Sequence, residues 1–147
     1  MKKLLLLLCI SMIGFGQTFA QTSVYLEIGG AAGLWSLNYD RELWEIKENL
    51  KLHARAGLGM YSESNGAGFP DVIIPISNMV LLGEGTHRVE AGGGITYYNW
   101  TLRDALKQDG FSRRSDLLGH LILGYRFQKP EGGLMFRVAY TPIIINY

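Results

Sequence analysis

From residue 24 onward, apolar and polar side chains alternate with a period of two along most of the chain. That period is the signature of β-strands, whose successive side chains point to opposite faces. In Leu34 to Leu43 one face carries Trp35, Leu37, Tyr39, Arg41 and Leu43, and the other Leu34, Ser36, Asn38, Asp40 and Glu42. In Leu50 to Tyr61, Leu50, Leu52, Ala54, Ala56, Leu58 and Met60 oppose Lys51, His53, Arg55, Gly57, Gly59 and Tyr61. A helix would mix these sets on every side. Val24 to Gly29, Arg88 to Tyr98 and Leu134 to Thr141 alternate in the same way. Leu117 to Phe127 has one clean apolar face and one mixed face. Val72 to Leu82 is apolar on both faces and holds Pro75, which predicts a strand with a bulge or bend there. Seven strands result.

The links fall into two kinds. Trp44 to Asn49, Gly83 to Thr86 and Gln128 to Gly132 are short. Ser62 to Asp71 and Asn99 to Ser115 are longer and more polar, and Leu102 to Lys107 is compatible with a helical turn. Short turns at one end and long loops at the other are the habit of outer-membrane barrels, although the link around Ala31 to Gly33 is short.

Composition sharpens the choice between membrane and water. The polar faces are not a solvated mixture. They combine Gly57, Gly59, Gly92, Gly94 and Gly124 with the acids Glu27, Asp40, Glu42 and Glu90 and the bases Lys51, Arg55, Arg88, Arg126 and Arg137. Near balance of opposed charges suits a packed interior, where an ion is tolerated only when paired. His53 and His120 fall on the same faces and are expected to join this structural network, or to meet each other. The apolar faces hold Trp35, Tyr39, Tyr97, Tyr125, Phe127 and Tyr140, types suited to a bilayer interface. The expected fold class is all-β: an antiparallel up-and-down transmembrane β-barrel, with seven strands visible of eight. At that size side chains fill the interior, which excludes a wide water channel.

The first twenty residues read differently. Met1-Lys2-Lys3 is cationic, Leu4 to Ile13 is apolar apart from Cys9 and Ser11, and Thr18-Phe19-Ala20 ends in a small residue. This is the layout of a secretory signal peptide cleaved after Ala20, leaving residues 21–147 as the barrel domain. Cys9 is the one cysteine, so no disulfide framework or cysteine metal site follows. Without Lys2 and Lys3, 12 basic residues face 13 acidic ones, and no basic cluster argues for nucleic acid.

Several blocks resemble the small, largely uncharacterised outer-membrane β-barrel proteins of Bacteroidota-type bacteria. They are Tyr25-Leu26-Glu27-Ile28-Gly29-Gly30, Ser36-Leu37-Asn38-Tyr39-Asp40-Arg41, Arg55-Ala56-Gly57-Leu58-Gly59 and Val89-Glu90-Ala91-Gly92-Gly93-Gly94. Gly124-Tyr125-Arg126-Phe127 and Gly132-Gly133-Leu134-Met135-Phe136-Arg137, followed by Thr141-Pro142, continue the series. The resemblance implies a fold and a location: outer-membrane lipid and lipopolysaccharide as surroundings, insertion by the barrel-assembly machinery, and no particular activity. Such proteins continue past the threonine-proline with one more strand. Here Ile143 to Tyr147 remain, fewer than the roughly 9–11 residues a strand needs to cross a bilayer. The expectation is a barrel that is incomplete at its C-terminus or completed from elsewhere.

Candidate chemistry is sparse. His53, His87 and His120 show no metal-ligand spacing, and no metal or cofactor is expected. Ser36 and Ser77 lack a Gly-x-Ser-x-Gly elbow. Gly92-Gly93-Gly94 lacks the Lys-Ser/Thr of a phosphate loop and lies inside a strand pattern, where bending the wall is the simpler role. Arg113-Arg114 reads as a solvated pair that could also touch lipopolysaccharide. The expected role is a structural or adhesive outer-membrane component, or a carrier of one small solute. Two alternatives stand beside it: a soluble periplasmic barrel holding an apolar ligand, and an outer-membrane lipid-modifying enzyme. The latter needs His53 or His120 beside a serine or carboxylate near the rim.

Overall fold

The computed structural model describes residues 4–7, 10–19, 21–61, 71–103 and 111–146, with side chains described for 21–61, 71–101 and 113–144. Its strands are β1 (Leu4–Leu7), β2 (Ile10–Phe19), β3 (Thr22–Ile28), β4 (Trp35–Lys47), β5 (Leu50–Tyr61), β6 (Asp71–Leu82), β7 (His87–Arg103), β8 (Phe111–Gln128), β9 (Gly133–Tyr140) and β10 (Ile143–Asn146). Each strand from β2 to β8 pairs antiparallel with the next in the chain. The fold is all-β, antiparallel and up-and-down.

The ten strands make eight rails. Leu123 pairs with Tyr140 on β9, and His120 pairs with Ile143 on β10, in one continuous register. Thr141-Pro142 therefore interrupts a single rail. Pro142 has no N–H to give, but its carbonyl accepts from Leu121 N at 3.0 Å, so the ladder carries on. β1 and β2 follow the same rail on its other side, through Leu7 with Ile143 and Ile10 with Tyr140. β2 thus has β3 on one side and β9 on the other.

Two sequence expectations meet this arrangement. The expected seven strands become eight rails, and the added rail is the segment read as a leader. An extended segment can supply main-chain partners to two neighbouring edges whatever its side chains, because the ladder uses backbone groups. The expected cleavage point at Ala20 lies outside the described residues.

The links also differ from expectation. Strand β4 runs on to Lys47, leaving Glu48 and Asn49 as the turn. Leu102 and Arg103, expected in a helical turn, belong to β7 and pair with Ser112 and Phe111 on β8. Residues 104–107 of that turn, and residues 62–70 of the other long loop, lie outside the described residues. The register around Pro75 is continuous toward β7, with Pro75 opposite Thr96, and is the same above and below it toward β5. No bulge forms there. Shifts fall in β4 instead, between Glu42 and Trp44 and between Glu45 and Lys47, where the β4–β5 hairpin extends past the start of β3.

The two faces of the wall are chemically opposite. Val24, Leu26, Ile28, Leu37, Leu58, Ile76, Val89, Ile95, Leu121, Leu123 and Val138 are exposed on the outside. Trp35 on β4 and Tyr97 on β7 stand toward the long-loop end, with Trp44 and Tyr125 toward the short-turn end, and all are exposed. The inward positions are buried and mostly polar: Glu27, Ser36, Asn38, Asp40, His53, Arg55, Ser77, Glu90, Thr96, His120, Arg126 and Arg137. An apolar cluster of Met79, Leu81, Ile122 and Ala139 lies among them. Glycine makes room where the wall is tight. A Cβ on Gly94 would collide with the Ile76 carbonyl, and one on Gly124 would lie 2.9 Å from Glu90 Oε1.

Candidate functional site: an ionic interior and its mouth

The alternation of β3, β4, β5, β7, β8 and β9 sends one charged side chain after another into the same narrow space. They assemble into a chain in which acids and bases alternate. His53 Nδ1 lies 2.6 Å from Asp40 Oδ1. Asp40 Oδ2 accepts from Arg126 Nη2 at 2.7 Å. Arg126 reaches Glu90 Oε2 at 3.1 Å, and Arg137 Nε donates to Glu90 Oε1. Arg137 Nη1 then donates to Glu27 Oε1 at 2.8 Å, and Arg55 Nη1 to Glu27 Oε2 at 3.2 Å. Each carboxylate is shared by two basic side chains. This matters because taking an ion out of water costs several kcal/mol (order of magnitude), which only pairing and further hydrogen bonds offset.

Neutral groups complete the set. Asn38 Nδ2 donates to Ser36 Oγ at 2.9 Å and to Glu27 Oε2 at 3.4 Å, and Arg55 Nη1 donates to Tyr25 Oη at 3.3 Å. Arg55 Nη2 donates to Ser77 Oγ at 3.3 Å. Ser77 Oγ lies 2.8 Å from His120 Nε2, and His120 Nδ1 lies 2.9 Å from Thr96 Oγ1. At the short-turn end, Lys51 Nζ pairs with Glu42 at 3.1 Å and with Glu45 at 3.0 Å. His53 Nε2 lies 4.0 Å from Glu42 Oε2 and links the two groups.

Of the residues singled out from the sequence, Glu27, Asp40, Glu42, Lys51, His53, Arg55, Glu90, His120, Arg126 and Arg137 meet in this linked set. Arg88 does not. It is half-buried, its Nε has no hydrogen-bond partner, and it forms no ion pair among the described residues. His53 and His120 do not meet each other, since each is engaged by different partners. Tyr25, Asn38, Ser77 and Thr96 were not singled out as partners. Their parity places them inward, but their contacts depend on which strands face across the interior. His87 stands at the short-turn end, exposed, with Nδ1 2.5 Å from Tyr125 Oη. Among the described residues, no group of three or more His, Cys, Asp or Glu converges on a metal position.

Above this network the interior changes character. Gly29, Gly30 and Gly33 take φ values of 81°, 74° and 85°, which L side chains rarely adopt. They fold the turn Gly30–Ala32 inward, so that Ala31 and Ala32 are buried. Tyr98 Oη donates to Ala31 O at 2.6 Å, and Tyr61 Oη donates to Ala32 O and accepts from Leu34 N at 2.6 Å. Beside this plug lies a cavity of about 340 Å³, lined by Tyr61, Asp71, Ile73, Tyr98, Trp100, Asp116, Leu118 and Ile143. Asp71 Oδ1 accepts from Thr101 N at 2.8 Å, and Asp116 Oδ2 from Trp100 Nε1 at 3.0 Å. By sequence pattern Asp71 and Trp100 fall within long loops. Both instead stand on strand ends, because β6 begins at Asp71 and β7 continues to Arg103.

No known protein-family profile matches the chain, and no curated protein does. Among solved structures, the chain is similar to the N-terminal β-barrel domain of Pseudomonas aeruginosa OprF. The identity is 12%, over 95% of this chain and 97% of that one, with a TM-score of 0.46.

Proposed function

We propose that the chain is an integral outer-membrane β-barrel with a side-chain-filled interior, non-enzymatic, and structural in role with room for one small solute at its mouth. The observation that carries this reading is the inversion of the wall. Arg55, Arg126 and Arg137 are each at most 2% exposed, while Leu117, Leu123 and Leu134 are about 60% exposed. In water such an apolar band would be far larger than the patches monomeric proteins expose. In a bilayer it is the lipid face, and Trp and Tyr near the strand ends suit the two interfaces.

The interior chain of ion pairs supports a plugged barrel over an open pore. Export under the direction of residues 1–20, the resemblance to Bacteroidota-type barrels, contact with lipid and lipopolysaccharide, and insertion by the barrel-assembly machinery belong to the same reading. A soluble carrier of an apolar ligand calls for a mainly apolar interior, and here most apolar side chains point out, with Met79, Leu81, Ile122 and Ala139 a small cluster inside an ionic interior. A lipid-modifying enzyme calls for His53 or His120 beside a serine or carboxylate at the rim, and the His53–Asp40 pair lies buried in the interior. Ser77 and His120 are close but deeply buried, and His120 Nδ1 faces the neutral Thr96 in place of a carboxylate.

The test is extraction and conductance. The protein should resist carbonate extraction, run at a heat-modifiable position on a gel, and give no steady open-channel current in planar bilayers. Release from membranes without detergent would overturn the reading. Mass analysis of the membrane-isolated protein adds a second check. A mature N-terminus at Gln21 supports the leader and requires another strand to fill the rail between β3 and β9. Retention of residues 10–19 would instead make β2 a permanent rail.

A further inference from the structure

The cavity at the long-loop end is unlike the rest of the interior. Its walls combine three aromatic side chains, Tyr61, Tyr98 and Trp100, with two carboxylates, Asp71 and Asp116, and the apolar Ile73, Leu118 and Ile143. We infer that it is a binding site for a small organic cation with an apolar body, of the substituted-ammonium class. Aromatic faces attract such cations through the ring quadrupole; Tyr61 and Tyr98 are half-buried, while Trp100 and Asp116 stand exposed at the entrance. Carboxylates then favour a cation over a neutral molecule of the same shape. The volume lies at the lower end of the roughly 300–1,000 Å³ usual for small-molecule pockets.

The groups are held in place before any ligand arrives. The rings of Tyr61 and Tyr98 are tethered by their hydroxyls to the backbone of the inward turn, at Ala32 and Ala31. One oxygen of Asp71 is bound by Thr101 N, and one oxygen of Asp116 by Trp100 Nε1. Neither aspartate has an ion pair among the described residues, whereas every carboxylate of the chain below is shared between two bases. Tyr98 lies opposite Asp116 and also pairs with Ile73, so one row of the wall sets an aromatic ring beside an acid and an apolar contact. The basic residue nearest by register is Arg114, which pairs with Trp100 and is exposed. Its charge, two residues from Asp116 along β8, opposes a bound cation.

This inference rests on the outer-membrane reading only for which end meets the medium; the pocket's chemistry stands on strands β5 to β8 and β10. The test uses choline and its neutral isostere 3,3-dimethylbutanol as probes on detergent-folded protein. Trp35→Phe and Trp44→Phe leave Trp100 as the single fluorescent tryptophan. Choline should change its emission saturably, and the isostere should bind about tenfold more weakly or not at all. Asp116→Asn and Asp71→Asn keep an oxygen for each existing hydrogen bond, and each should weaken choline by about tenfold. Arg114→Ala should tighten it. Equal binding of choline and isostere, unchanged affinity in both asparagine variants, or no saturable signal would overturn the inference. Heat-modifiability and far-ultraviolet dichroism of the same samples report the barrel separately, so failure of that reading is distinguishable from failure of the site.

Discussion

The lower interior and the loop-end mouth are built by the same strands and the same inward parity, yet they solve opposite problems. Below, Glu27, Asp40 and Glu90 each serve two basic side chains, and the long guanidinium groups of Arg55, Arg126 and Arg137 fill the space. Above, the inward side chains are rings and short acids, which leave a cavity beside the turn Gly30–Ala32. The difference teaches that burial and charge alone do not make a site. Carboxylates shared between bases give a structural plug, and carboxylates bonded only to neutral donors beside tethered rings give a receptive surface.

Breaking the plug should have the largest effect. Arg126→Leu leaves Asp40 and Glu90 each short of a partner in a buried setting, and should cost about 3–5 kcal/mol. Loss of heat-modifiable folding, or a much lower urea midpoint in lipid vesicles, is the expected readout. Arg55→Leu should weaken folding far more than Arg113→Leu, since Arg113 is exposed on the hairpin above. Equal thermal stability of those two in detergent would remove the distinction between interior and rim.

The outer face offers the next contrast. Leu123 is 59% exposed on the proposed lipid side, and Leu123→Lys should cost about 2–4 kcal/mol if it lies near the bilayer midplane. A tolerant response would mean that the residue meets water. Gly94→Ala places a methyl against the Ile76 carbonyl and should cost about 1–3 kcal/mol by overpacking. Refolding yield compared with Gly85→Ala, where the added methyl meets nothing but the φ of 65° is strained, separates crowding from backbone strain. The smallest effect on folding is expected from Asp116→Asn at the mouth. Its melting temperature should match the parent while choline binding falls, which is the sharpest statement of the comparison.

Much of the wall was legible residue by residue. The parity that sends Lys51, His53 and Arg55 in and Leu58 and Met60 out follows from the two-residue period alone, as does the balance of acids and bases on the inner face. Arg88 shows the limit of parity. It points inward by count, but it sits where the wall ends, and it forms no ion pair there among the described residues. Pro75 shows another. A proline suggested a bulge, but the neighbouring ladders hold their register through it. The mouth was least legible, because residues such as Asp71 and Trp100 look like loop until the long β7–β8 hairpin carries the strand ends upward.

The chain by itself determined that strands form, which side of each is apolar, and that the charged side could only exist in pairs, since those follow from local period and from the cost of burying ions. Tertiary structure decided who pairs with whom. Arg137 meets Glu27 and Glu90 across the interior, far away in sequence, and Tyr61 and Tyr98 meet a turn from another part of the chain. Such meetings depend on strand tilt and shear around the wall, quantities that no local pattern encodes.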